Sequence, residues 1–229
     1  MIYGHRLSIV REGLELQKDV YYNKDKFDSG EINICFITGL SGSGKTTLSK
    51  KLSGNNIEHY ELDDVLYNYA FTDNQLKEYG DLIYSYFKGV GSKYRFREEV
   101  EFLDNKIEDG LIKGFVKYAI DYAKSHKDRK FIIEGVELFW KFRAEHFKNY
   151  AIIIKGTSAN MSRFRASVRD SSDANNSIER VGAVIKDMSN KDRAKAYNMS
   201  YKIILEWKKY FTNLNNSWGI IPQEFYFLL

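Results

Sequence analysis

The chain has 229 residues, of which 43% are hydrophobic and 29% charged, and its formal net charge is +4. That length suits one α/β domain with an accessory lobe, and the balance excludes disordered, collagenous and coiled-coil classes. The mild basic excess suits phosphate-bearing ligands but falls short of a nucleic-acid signature.

Apolar residues at mixed helical spacing (Leu7, Val10, Leu14, Val20, Tyr21) predict a helix from Leu7 to Phe27, closed by Asp28-Ser29-Gly30. The run Ile32 to Gly39, INICFITG, is short, apolar and bounded by turn signals, the pattern of a strand buried on both faces of a parallel sheet. Cys35, the one cysteine, lies inside this run as a core residue of a reduced protein. A glycine-rich stretch follows, then a helix from Lys45 to Leu52 and a second short strand, IEHYEL, ending before Asp63-Asp64.

Roughly 65 residues then precede the next buried strand, too many for a structureless loop in a compact domain. Thr72 and Gln75 have capping-box spacing, predicting a helix from Asp73 to Lys88, with Gly89 beyond it. A further helical stretch runs from near Arg97 to Lys124, with Gly110 and Gly114 as candidate interruptions. KFIIEGV (Lys130 to Val136) is the third strand, LFWKFRAEHF a helix, and YAIIIKG the fourth strand. This alternation implies a parallel α/β sheet of about five strands with right-handed crossovers. From Ser158 to Asn213 the pattern is helical and charged, and WGIIPQEFYFLL forms either a last strand or a strap, Pro222 opposing a long central strand. No apolar run approaches the roughly 18 to 20 residues of a membrane span, so a soluble, cytoplasmic protein with no membrane partner is expected.

The glycine-rich stretch carries the chemistry. Gly39-Leu40-Ser41-Gly42-Ser43-Gly44-Lys45-Thr46 matches G-x-x-x-x-G-K-[ST] at every fixed position. Glycines let consecutive backbone N–H groups turn inward with no Cβ in the way, and the next helix adds its dipole. Lys45 then reaches the β and γ phosphates of ATP, the Thr46 hydroxyl ligates Mg²⁺, and Thr47 is placed for the α phosphate. A GTPase is not expected: Asn190 to Arg193, NKDR, has Arg193 where N-K-x-D requires aspartate, and no D-x-x-G follows a strand.

Taken with the loop, the acidic pair in ELDD, the strand FIIEG and the arginine-rich SRFRASVRD, the chain resembles the small P-loop kinases. IIEGVELF and RASVRD are most similar to the uridine kinase, phosphoribulokinase and pantothenate kinase group. The resemblance covers roughly Ile32 to Asp170 and implies a P-loop NTPase fold with helical acceptor-binding and lid segments. With the length of the chain this gives one expected domain: an N-terminal helix (1–30), a core (31–156) holding an acceptor-binding insertion (63–125), and lid and C-terminal helices (157–229).

The resemblance also assigns roles. Asp63, with Asp64 in reserve, receives the proton of the acceptor hydroxyl; the alternative is that the pair caps the helix that follows. Glu134 holds Mg²⁺ through water, or else bonds a neighbouring loop. Arg165 and Arg169, four apart on one helical face, bring positive charge to the transferring phosphoryl group, or else form a solvated basic face. Tyr67 with Tyr69 and Phe71 offers stacking surface for a base, and Lys93, Arg95 and Arg97 suit an anionic acceptor. The expected activity is transfer of the γ-phosphoryl group of ATP to a hydroxyl of a small metabolite, a nucleoside or nucleotide first. The alternatives are a polynucleotide 5′-hydroxyl, a nucleotide sugar, or a nucleotide-binding regulator without catalysis. Nucleic acid is the less favoured partner, and nothing in the sequence sets the oligomeric state.

Overall fold

In the computed structural model of the chain, residues 17–54, 56–62, 105–172 and 176–218 are described. The protein is α/β, with five strands of mixed direction flanked by helices. It divides into two compact units: Asp25–Thr38 with Lys45–Phe142, and Met1–Lys24 with Gly39–Gly44 and Arg143–Leu229.

The first, strand-rich unit holds α1 (Lys24–Ser29, all but its first residue), β2 (Ile34–Thr38), α2 (Lys45–Leu52), β3 (Ile57–Glu61), α3 (Asn105–Ser125), β4 (Lys130–Glu134) and α4 (Glu137–Lys141). β4 lies between β2 and β3 and is parallel to both, with Ile37 and Glu61 each opposite Glu134 in register. All five residues of β2 are buried, as its unbroken apolar run requires of a strand covered on both faces. β3 is half-buried and alternates: Tyr60 packs edge-on against Phe115 of α3, with ring centroids 5.7 Å apart. Helix α3 passes through Gly110 and Gly114 without interruption. The buried Ile112, Phe115, Val116, Ala119 and Ala123 anchor it at helical spacing, each large side chain contributing about 1.5–3 kcal/mol of burial. Gly135, just after β4, has a structural cause: a Cβ there would stand 2.8 Å from Leu62 Cβ and 2.3 Å from Glu137 Oε2.

The second, helical unit holds β1 (Val20–Tyr22), a 3₁₀ turn (Ala144–Phe147), β5 (Ala151–Ile154), α5 (Ala159–Asp170), α6 (Ser177–Ser189) and α7 (Lys191–Trp218), with the Gly39–Gly44 loop. Two expectations are corrected in it. β1 runs antiparallel to β5, Val20 opposite Ile154 and Tyr22 opposite Ile152, so the strands are not all parallel. Residues 20–22 are also strand rather than helix: Val-Tyr-Tyr has strong β propensity once an edge is offered. Asn23, at φ 50°, turns the chain out of it. The segment predicted as one helix after β4 is instead α4 followed by the 3₁₀ turn. The parts of the sequence reading that fall at residues 1–16, 63–104 and 219–229 lie outside the described residues.

Aromatic packing holds α7 to this unit. Tyr22 meets Phe211 at 5.0 Å and Phe147 meets Trp207 at 5.4 Å between ring centroids. Lys208, 3% exposed, donates to the Lys18 carbonyl at 2.7 Å, and burial pushes its amine down to about 8. Among the described residues no helix is long and apolar enough to cross a membrane.

Asp19 ties the chain ahead of β1 to the end of β5: it accepts from Lys155 Nζ at 2.5 Å and from the Gly156 N–H at 2.8 Å. Burial pushes its carboxyl up, but those donors and the Tyr21 hydroxyl outweigh it and leave the group below its ordinary 3.8. A depressed carboxylate contributes stability above its unfolded value, and that contribution is lost as the pH falls through the folded one. Asp19→Asn should therefore cost about 1–2 kcal/mol at neutral pH. The gap from wild type should narrow in acid, as read from urea unfolding across the range.

Candidate functional site

The loop between β2 and α2 belongs to the helical unit up to Gly44 and is continuous in sequence with Lys45 of the strand-rich unit. Within it Gly39, Gly42 and Gly44 have φ of 149°, 77° and 90°, and Ser43 N donates to the Leu40 carbonyl at 3.0 Å. Ser43 is 4% exposed and its hydroxyl has no hydrogen-bond partner among the described residues, a cost a polar ligand would relieve. Gly42 stands at a variable position of the motif, yet the fold demands glycine there. A Cβ would lie 2.6 Å from the Ser162 carbonyl oxygen and 3.0 Å from the Ala166 nitrogen, so α5 rests directly on the loop backbone. The Ser162 hydroxyl, fully buried, donates to the Ser41 carbonyl at the same contact.

Helix α5 starts at Ser158, whose hydroxyl caps the Met161 N–H at 3.2 Å. Its three arginines part company. Arg163 is 4% exposed and turns to the end of α6, donating to the Asp187 and Asn190 carbonyls. Ser167 and Arg193 also donate to the Asp187 carboxylate, so one acid joins α5, α6 and α7. Arg165 is exposed, with its Cβ 3.2 Å from where a Gly42 Cβ would be. Arg169, one turn on, is exposed and pairs with Asp170 at 3.0 Å. Asn190, the first letter of NKDR, caps α7, its side chain accepting from Asp192 N and Arg193 N at 3.0 and 3.1 Å.

In the strand-rich unit the start of α2 meets the ends of β3 and β4. Lys45 and Thr46 are half-buried and Thr47 is exposed. The Thr46 hydroxyl donates to Glu61 Oε1 at 2.8 Å, and the Ser49 hydroxyl, one turn on, donates to Glu134 Oε2 at 2.5 Å. Glu134 is fully buried, and its Oε1 has no hydrogen-bond partner among the described residues, His59 Nε2 standing 3.6 Å away. Burial pushes the Glu134 carboxyl up; the nearby His59 ring and the Ser49 hydroxyl outweigh this and hold it below the ordinary range. Among the described residues no three His, Cys, Asp or Glu converge on a metal position.

Of the residues the sequence singled out, the loop glycines and serines, Lys45, Thr46, Thr47, Glu134, Arg165 and Arg169 are placed as above, while Asp63, Asp64, Tyr67 and Arg97 lie outside the described residues. Sequence reasoning passed over His59, Glu61 and Ser49. The signal was present: alternation along H-Y-E puts His59 and Glu61 on one face of β3, and Ser49 follows Thr46 by three residues on α2. Neither a comparison with models of protein families nor one with curated proteins finds a match for the chain.

The close approach of α5 separates two glycines of the loop. Gly44→Ala, at φ 90° with nothing within 4 Å of a Cβ, should lose about 1–2 kcal/mol from backbone strain alone. Gly42→Ala should lose more, because the backbone of α5 must also move. Equal thermal unfolding shifts for the two variants would show that α5 yields without cost.

Proposed function

We propose that the chain is an ATP-dependent kinase of the P-loop NTPase fold, transferring the γ-phosphoryl group to a hydroxyl of a small metabolite, a nucleoside or nucleotide. The observation that carries this reading is the stretch Gly39–Thr47, a full G-x-x-x-x-G-K-[ST] match between a wholly buried strand and a helix. Its helix presents Thr46 beside a carboxylate of the neighbouring strand. The resemblance to the uridine kinase, phosphoribulokinase and pantothenate kinase group supports the choice of kinase over switch or motor.

In this reading the loop N–H groups and Lys45 hold the phosphates, and Thr46 and Glu134 serve the magnesium ion. The ion, when bound, neutralises charge on the phosphate oxygens. Asp63 takes the acceptor proton, with Asp64 beside it in sequence. Arg165, exposed next to the loop, brings positive charge to the transferring group, and Arg169 follows it on the helix. A reducing cytoplasm, where ATP is abundant and the buried Cys35 stays a thiol, is the compartment this activity needs.

The test is ADP release from ATP and Mg²⁺ against nucleosides, nucleotides, sugars, pantothenate-like alcohols and 5′-hydroxyl oligonucleotides. Release should appear with one acceptor class and fall by about 10²-fold or more in Lys45→Ala and in Asp63→Ala. ATP binding with no acceptor raising turnover above the Lys45→Ala background would overturn the kinase reading in favour of a regulator.

A further inference from the structure

Thr46 is not the last polar group of its row. The face of β3 turned towards α2 carries His59 and Glu61, and in register with Glu61, one strand away, stands Glu134. Adjacent strands lie about 4.8 Å apart, so the two carboxylates face each other across one strand spacing, where like charges are unfavourable. They are not held alike. Glu134 is fully buried and committed through Oε2 to Ser49, with Oε1 lacking a hydrogen-bond partner among the described residues. Glu61 is half-buried and committed through Oε1 to the Thr46 hydroxyl. A hydroxyl that gives its hydrogen to a carboxylate keeps its lone pairs for a cation.

We propose that Glu61 is a cation-positioning residue: it orients the Thr46 hydroxyl and, paired in register with Glu134, supplies the second carboxylate for a divalent cation delivered with a polyphosphate. The acidic motif of the resemblance points instead to Asp63 and Asp64, so Glu61 is an addition to that set. Two carboxylates and one hydroxyl are too few to hold magnesium alone, and the cation therefore binds with the nucleotide rather than before it. Ser49 donates to Glu134 Oε2 and His59 stands 3.6 Å from its Oε1, and Glu61, half-buried, is the carboxylate nearer solvent. The proposal rests on the nucleotide-binding reading of the loop.

The experiment uses the full chain and Mn²⁺ in place of Mg²⁺, and measures two affinities: that of a non-hydrolysable ATP analogue without metal, and that of Mn²⁺ for the protein–analogue complex, by electron paramagnetic resonance. Glu61→Gln keeps an oxygen for the Thr46 hydroxyl and removes only the charge. It should leave the metal-free analogue affinity at or above the wild-type value and weaken Mn²⁺ by about 10- to 100-fold. Glu61→Asp, which keeps the charge, should recover part of that loss, an outcome a purely structural side chain would not produce. Unchanged Mn²⁺ affinity in Glu61→Gln, with the analogue still bound, overturns the role of Glu61 and leaves the nucleotide reading standing. Failure of the wild-type chain to bind the analogue, with or without metal, overturns that reading and the proposal with it. Should Glu61→Gln fail to fold, Glu61→Asp with a wild-type unfolding midpoint and weakened Mn²⁺ affinity supports the proposal, and wild-type Mn²⁺ affinity in it, or a loss that merely tracks a lowered midpoint, overturns it.

Discussion

A carboxylate with no solvent exposure, Glu134, is the constraint around which the strand-rich unit is arranged. Taking such a group out of water costs several kcal/mol unless polar hydrogens replace the solvent. They come from two elements: the Ser49 hydroxyl of α2 donates to it, and His59 of β3 stands 3.6 Å away. That requirement fixes how α2 lies over the strands and which face of β3 it meets. The opposite face of β3 is left to Tyr60 and α3. Gly135 completes the arrangement by letting Leu62 approach the end of β4 where any side chain would block it.

The helical unit solves a similar problem with a different acid. Asp187 is reached by Ser167 from α5 and Arg193 from α7, and the buried Arg163 of α5 donates to its main-chain carbonyl. Three helices are joined at one point, and α5 lies against the loop at Gly42 and bonds the Ser41 carbonyl. The arginine it offers on the loop side is Arg165.

How far the sequence could be read differs element by element. β2, β4 and β5 were legible because each is an apolar run bounded by turn residues, and burial follows from composition alone. β1 was not, since Val20 and Tyr21 fit helical spacing as well as strand alternation, and only pairing with β5 decides between them. α3 was legible at its end but not in its continuity: glycine lowers helix propensity, yet the buried face at Phe115, Val116 and Ala119 overrides Gly110 and Gly114. Among the arginines of α5, spacing identified the shared face of Arg165 and Arg169, while the burial of Arg163 depends on carbonyls supplied from the end of α6.

The glycine-rich motif, the α/β alternation and the candidacy of Lys45, Thr46 and Glu134 follow from the sequence by itself. Each is a local pattern, with residue types and spacing set by one short stretch of backbone. Tertiary structure alone decided that Glu61 takes the Thr46 hydroxyl, that Ser49 and His59 surround Glu134, that β1 runs antiparallel, and that α5 rests on Gly42. The reason is physical: these depend on strand register and on which backbone groups come within hydrogen-bonding reach, and residues far apart along the chain have neither until it folds.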